Sequence, residues 1–221
     1  MARPASKGLE AGDGVAGDVR GQIIRAAAAL FRTRGYANTS LRDVALGVGL
    51  SKAGVYHHFS SKEKILEAVY DRAVDVLAAG LRQVLTVEGT ESRLRELIVG
   101  RARAIADEQD VMTVFWQERP WVAPEILSRL GRRLREYRHT ILELIQQGQR
   151  EGILREDLDP HVLMLGLDGM TGWLYLWYRP GRLSIEEIGD QLWRLGWDGA
   201  AAPRARSAAG AGEGSSGMMG A

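Results

Sequence analysis

The side chains best suited to chemistry cluster between Ser40 and Phe59, where the chain reads SLRDVALGVGLSKAGVYHHF. This stretch supplies hydroxyl, guanidinium, ammonium and imidazole groups, which are hydrogen-bond donors suited to anionic partners. The whole chain has four histidines, and no nucleophile elbow accompanies them, so we do not expect an enzyme. Noncovalent recognition of a polar, anionic surface is the chemistry that these residues favour.

A metal site is not expected at the adjacent histidines His57 and His58. Neighbouring side chains on a helix point about 100° apart, and no acidic residue lies at a suitable spacing to complete a ligand set. The chain contains no cysteine, which excludes disulfides and thiolate ligands. We therefore predict neither a metal nor a cofactor.

Charge is unevenly distributed along the chain. Residues 19–64 hold eight Lys or Arg against two acidic residues, a net charge of +6 in a protein whose overall net charge is +1. The remainder therefore carries −5. A basic segment attached to an acidic body is typical of a DNA-binding domain joined to another domain.

Apolar residues recur at helical spacing through nearly all of the chain, which predicts an all-α fold of about nine helices. A first helix over 19–34 braces two short helices, near 40–47 and 51–57, which together form a helix-turn-helix. In that motif Gly49 permits the turn, while Val55 and Phe59 hold the second short helix against its support. A long fourth helix begins at a capping box formed by Ser60 and Glu63. Further helices are expected near 91–109, 111–118, 123–151, 160–179 and 184–197.

These patterns divide the chain into four segments. We predict disordered tails over 1–18 and 199–221, a three-helix DNA-binding head over 19–78, and an effector-binding and dimerisation body over 79–198. No apolar run is long enough to span a membrane, and the amino terminus resembles no signal peptide. We expect a cytoplasmic protein associated with the nucleoid and having no membrane partner.

The segments IIRAAAALFRTRGY and TSLRDVALGVGLSKAGVYHHFSSKEKIL closely resemble the amino-terminal signature of TetR-family transcriptional regulators, over about residues 20–70. The resemblance implies phosphate contacts from Thr39, Ser40, Tyr56 and Lys62, base reading from the stretch Ser51 to His57, and either role for Arg42. The full set expected to contact double-stranded operator DNA is Thr39, Ser40, Arg42, Ser51, Lys52, Ala53, Gly54, Tyr56, His57, His58 and Lys62.

The same resemblance implies a homodimer formed by the last two long helices, and hence a palindromic operator. Gly166, Gly169 and Gly172 recur on one surface of the first of these helices. Each interior glycine costs about 1 kcal/mol relative to alanine, so the three together indicate close backbone approach. A face buried within a monomer is the alternative.

Large apolar side chains in the body could line an effector pocket, although ordinary core packing is the alternative for each. The arginine-rich helix over 123–151 is either a solvated face or a phosphate-binding one. Its sequence and the WLYLWYRPG stretch resemble TetR regulators of fatty-acid and steroid degradation that sense acyl-CoA thioesters. The predicted function is a repressor released by an apolar or acyl-CoA-like effector, and the alternative is a regulator controlled by a protein partner without an effector. The predicted effector contacts are Met112, Phe115, Trp116, Trp121, Arg133, Tyr137, Met170 and Trp173.

Overall fold

A computed structural model describes residues 18–202, in which all helices are connected by turns and the only β-type pairing is an isolated bridge between Leu154 and Ala201. This confirms the predicted all-α fold. A short 3-10 turn over Arg119–Trp121 lies between the sixth and seventh helices. In chain order the α-helices of this region are α1 (Val19–Arg34), α2 (Leu41–Gly47), α3 (Lys52–His58), α4 (Lys62–Thr86), α5 (Thr90–Asp107), α6 (Gln109–Gln117), α7 (Pro124–Arg150), α8 (Pro160–Gly172), α9 (Leu174–Trp177) and α10 (Ile185–Ala200).

The head is a three-helix unit in which the two short helices, α2 and α3, begin at side-chain caps. The Ser40 hydroxyl accepts from the backbone N–H of Asp43, and the Ser51 hydroxyl accepts from that of Gly54, so both short helices satisfy a free backbone donor at their start. The cap of α4 is Ser61, which accepts from the backbone N–H of Lys64. The predicted capping box of Ser60 and Glu63 is therefore wrong by one residue.

Helix α4 leaves the head and forms one wall of the body. Its buried stripe includes Ile65, Val69, Ala73 and Leu77, at the three-to-four spacing that turns one helical face to the core. Helix α5 packs against α4 on one side and against α10 on the other, and α7 covers α4 and α8. The body therefore surrounds α5 with helices from both halves of the chain.

Two predicted boundaries are wrong. The expected single helix over 160–179 is divided, because α8 ends at Gly172 and a single turn, α9, follows. The predicted carboxy-terminal tail starts too early, since α10 continues to Ala200 and Ala201 is fully buried beside Leu154. The predicted tails over 1–17 and 203–221 lie outside the described residues.

None of the helices between residues 18 and 202 is both long and apolar enough to cross a membrane. Over the same range, no group of His, Cys, Asp and Glu side chains is arranged to hold a metal ion.

Candidate DNA interface and effector cavity

Helix α3 is held by its apolar face and exposes its polar one. Val55 and Phe59 are buried in the head, while Gly49 adopts a positive φ of 68° in the turn and lets Leu50 donate its backbone N–H to Ala45. This arrangement confirms the predicted turn. Gly54 is half-buried, and the other predicted base-reading residues lie on the exposed face: Ser51, Lys52, Ala53, Tyr56, His57 and His58.

A shallow groove of about 460 Å³ joins this face to the turn between α1 and α2. Ser40, Arg42, Lys52, Tyr56 and Lys62 all line it, so the structure brings the predicted phosphate-contacting residues together. The Lys52 ammonium lies 5.6 Å from the centre of the Tyr56 ring, a cation–π distance. The groove presents cationic and hydroxyl groups beside the exposed face of α3.

Two residues of the predicted phosphate-binding set have structural partners. Thr39 is only 2% exposed, and its hydroxyl donates to the carbonyl of Gly35 at 2.9 Å. The Lys62 ammonium donates to the carbonyls of Tyr36 and Thr39 at 2.8 and 2.9 Å, and it lies 4.1 Å from the centre of the Tyr36 ring. Both side chains therefore shape the turn that carries Ser40 and Arg42.

The capping box at the start of α2 holds Ser40 at the edge of the groove through hydrogen bonds to the Asp43 carboxylate. Hydrogen bonds from the hydroxyl and the backbone N–H of Ser40 hold the pKa of the Asp43 carboxyl below its usual range. Asp43 is therefore ionised at neutral pH, at the start of a helix where a negative charge is favourable. This carboxylate orients Ser40 at the edge of the groove.

The body contains a cavity of about 770 Å³, open at one side. Its walls come from α4 to α9, and much of its surface is apolar, including Leu77, Leu127, Leu130, Leu134 and Leu165. Four predicted effector residues line it: Phe115, Trp116, Tyr137 and Trp173.

The other four predicted effector residues lie elsewhere. Met112 is fully buried in the core, and the ring of Trp121 lies 5.7 Å from that of Tyr36, facing the head. Arg133 forms an ion pair with Asp75 at 2.5 Å, and Met170 lies against Gly196 of α10. The prediction that these four residues line the effector pocket is therefore wrong. Apolar character and charge do not specify which face of a helix turns toward the cavity.

The arginines of α7 divide into two groups. Arg129 binds Asp71 through two hydrogen bonds of 2.7 and 2.9 Å, and with Arg133 it ties α7 to α4. Arg135 and Arg138 instead line the cavity, together with Arg119, and none of these three has a carboxylate partner within 18–202. The mouth of the cavity is therefore positively charged.

An ion pair between the buried Arg101 of α5 and the partly exposed Asp168 of α8 also faces the cavity, and sequence reasoning missed it. Arg101 is 8% exposed. The sequence feature that could have indicated this pair is the aspartate inside the apolar run LMLGLDGM. A charged residue is rarely found in such an apolar segment without a partner. The pair places polar groups deep in an otherwise apolar wall.

Helix α6 connects the cavity to the head. Phe115 and Trp116 line the cavity, while Glu118, directly after the helix, accepts from the backbone N–H of Tyr36 at 3.0 Å. At the other end, Asp110 pairs with Arg32 of α1 at 2.7 Å. A displacement of the cavity wall would therefore act on the turn that carries the groove.

A broad apolar surface lies on the last helices. The α8–α10 apolar face is defined by the exposed side chains Val162, Leu165, Trp173, Leu176, Trp177 and Leu195. A Cβ added at Gly166, Gly169 or Gly172 would meet no atom within 4 Å. The close backbone approach predicted at these glycines is therefore not made within one chain.

Two family models match this chain, one over the head and one over the body. Residues 23–69 match the family model described as bacterial regulatory proteins of the tetR family. Residues 88–200 match a model described as the tetracyclin repressor-like C-terminal domain.

Individual relatives match over most of the chain. The HTH-type transcriptional repressor KstR2 of Mycobacterium tuberculosis is 31% identical over 81% of this chain and 92% of its own length. The solved structure of that ketosteroid transcriptional regulator superposes with a TM-score of 0.76, at 28% identity over 82% of this chain and 94% of that one. AibR, solved in complex with isovaleryl coenzyme A and operator DNA, has a TM-score of 0.70 at 27% identity, covering 78% of this chain and 95% of its own.

Proposed function

Because the chain belongs to the TetR family of bacterial transcriptional regulators, we propose that it is a dimeric repressor that an acyl-CoA thioester releases from a palindromic operator. The single observation that carries the effector class is the cavity, which combines an apolar interior with an arginine-lined mouth. An acyl-CoA has the matching chemistry, an apolar chain joined to an anionic nucleotide.

The head supports the DNA-binding part of the proposal. Ser40, Arg42, Lys52 and Tyr56 line one groove beside the exposed face of α3, which suits contacts with phosphates on either side of a reading helix. Thr39 and Lys62 support that groove from inside. Such a regulator acts on the chromosome, which places it in the cytoplasm.

The body favours a small-molecule effector over control by a protein partner alone. A regulator without an effector has no need for a large internal space, whereas a cavity of about 770 Å³ is in the range of ligand sites. A ligand bound there would contact Phe115 and Trp116 of α6, and α6 also holds the head through Glu118. An effector that fits only one position of α6 would shift the spacing of the two heads in the dimer.

The test is release from operator DNA, measured by fluorescence anisotropy at near-physiological salt with DNA that flanks the coding region. We expect a medium- or long-chain acyl-CoA to release the wild-type protein, and the corresponding free fatty acid to release it poorly. The double substitution R135A/R138A should raise the acyl-CoA concentration needed by about tenfold or more, because charged hydrogen bonds to phosphate are lost.

Arg132 provides the matched control, since it is exposed on the same helix and does not line the cavity. R132A should respond to acyl-CoA like the wild type. If R135A/R138A is released from operator DNA at the same acyl-CoA concentration as the wild type, Arg135 and Arg138 do not bind the effector. Tight operator binding that no thioester relieves would favour control by a protein partner.

A further inference from the structure

Three polar side chains from three helices meet in the inner wall of the cavity. Arg101 of α5 and Asp168 of α8 form an ion pair, and Tyr137 of α7 lies close enough to both for their charges to act on its phenol. All three line the cavity. Arg101 and Tyr137 are 8% and 9% exposed, whereas Arg135 and Arg138 at the mouth are exposed. The polar cluster therefore lies deeper than the arginines.

The Tyr137 hydroxyl has no hydrogen-bond partner within 18–202, although Tyr137 is only 9% exposed. The hydroxyl oxygen is not one of the fully enclosed polar atoms without a partner within 18–202, so it remains accessible from the cavity that Tyr137 lines. Polar groups in such buried side chains are normally bonded to protein, water or ligand. Burial raises the pKa of this phenol, so it keeps its proton and remains a donor. The hydroxyl is available to a ligand in the cavity.

Asp168 complements that donor. One of its carboxylate oxygens accepts from Arg101, and the other oxygen has no partner within the described region. Its side chain is 26% exposed and lines the cavity, so the carboxylate can be reached by a ligand there. A carboxylate in this position repels an anionic group, and its pairing with Arg101 leaves the cluster without net charge. The cluster therefore suits a neutral group that both donates and accepts a hydrogen bond.

We propose that Tyr137 and Asp168 form a specificity subsite for a hydroxyl group on the apolar part of the effector, remote from its CoA end. The ligand hydroxyl donates to Asp168 and accepts from Tyr137, so that one group on the ligand pairs with both side chains. Arg101 positions Asp168. The effector class is thus a hydroxylated acyl-CoA rather than a plain fatty acyl-CoA, an inference that rests on the proposed function for the identity of the CoA end.

The test compares straight-chain acyl-CoAs, from octanoyl to tetradecanoyl, with their ω-hydroxy counterparts in calorimetric binding to the full chain. At the chain length that reaches the subsite, the hydroxylated thioester should bind wild-type protein about tenfold or more tightly, as expected for a hydrogen bond to a charged group. Y137F should reduce this preference to about twofold or less. Equal affinities at every chain length would overturn the subsite, as would a preference that survives Y137F.

A matched control is Tyr178, which is also 9% exposed but does not line the cavity. Y178F should keep the full preference for the hydroxylated ligand. D168N should lose the preference as Y137F does, and its melting temperature should be measured, because the substitution leaves Arg101 without its charged partner.

A CoA-free pair separates this inference from the proposed function. Methyl dodecanoate and methyl 12-hydroxydodecanoate carry the apolar chain without the nucleotide. If thioesters fail to bind but the hydroxylated ester binds preferentially and Y137F abolishes that preference, the CoA assignment is wrong and the subsite stands. If thioesters bind without regard to the hydroxyl, the proposed function stands and the subsite is wrong.

Discussion

At the scale of single residues, Lys62 is a cation that lines the groove of the head and is also bonded to the protein backbone. Its ammonium is held by two carbonyl oxygens of the turn between α1 and α2 and by the face of Tyr36. Since Ser40 and Arg42 follow that turn directly, the lysine also sets the position of two other residues that line the groove. We infer a positioning role for Lys62, in place of the phosphate contact expected from the family resemblance.

The substitution K62M tests this role, because it keeps the length of the side chain and removes the charge. We expect the free energy of unfolding to fall by about 2 kcal/mol, as two hydrogen bonds from a charged donor are lost. Operator affinity should also fall, while the dependence of affinity on salt keeps its wild-type slope, since no phosphate contact is removed. Thermal unfolding and anisotropy titrations at several salt concentrations measure both quantities.

Lys64 is the matched control, being exposed and paired with Glu67 on the same helix. K64M should change stability by less than about 0.5 kcal/mol. A salt slope that falls by about 0.9 in K62M would show that Lys62 neutralises a phosphate itself.

At the scale of elements, α6 is the helix that the cavity and the head share. It carries Phe115 and Trp116 in the cavity wall, and the Tyr70 hydroxyl of α4 donates to the carbonyl of Phe115 at 3.0 Å. Glu118 then accepts from the backbone N–H of the buried Tyr36. One short helix therefore contacts both the cavity and the support of the turn before α2, and we infer that it would transmit a signal from an effector bound in the cavity.

The substitution E118L tests the contact between α6 and the head. It leaves the N–H of Tyr36 without an acceptor, which should lower the free energy of unfolding by about 1–3 kcal/mol. We also expect the effector to release operator less completely, while effector affinity in the absence of DNA stays near the wild-type value. The ratio of operator affinities with and without effector is the quantity to measure.

E118Q retains an acceptor oxygen at the same position, so it should behave like the wild type in both measurements. An E118L protein whose affinity ratio equals that of the wild type would exclude this contact from the signal.

At the scale of the whole molecule, the α8–α10 apolar face is the surface that a single chain leaves uncovered. Val162 and Leu195 are 66% and 69% exposed, and Trp173 and Trp177 are also more than half exposed. Monomeric proteins rarely expose large apolar patches, and six large apolar side chains are exposed on these helices. The space beside Gly166 and Gly169 would admit the backbone of a second copy. We infer that this face forms the dimer interface.

The substitutions V162E and L195E place a charge on this face and should shift the protein from dimer to monomer in analytical ultracentrifugation. Operator affinity should fall by orders of magnitude, because one head reads only a half-site. Leu85 is a comparable control, 46% exposed at the end of α4 and outside the face, and L85E should remain dimeric. Dimers that persist in both V162E and L195E would place the interface elsewhere.

The sequence by itself determined the helices of the head and the surface that the head exposes. Helical periodicity and the cap at Ser51 are local properties, so the bounds of α1 and α3 agree with expectation to within about a residue. The polar face of α3 likewise follows from spacing along one helix. The sequence does not reveal the break after Gly172, because the residues that follow it, WLYLW, are as apolar as those of α8.

Only the tertiary structure decided which side chains share the cavity. Arg133 and Arg135 are two positions apart and chemically identical, yet one pairs with Asp75 of α4 and the other lines the mouth. Arg101 and Asp168 are 67 residues apart, and only the packing of α5 against α8 makes them an ion pair. A helical pattern specifies which residues share a face, whereas the helix that covers that face is fixed by contacts distant in sequence.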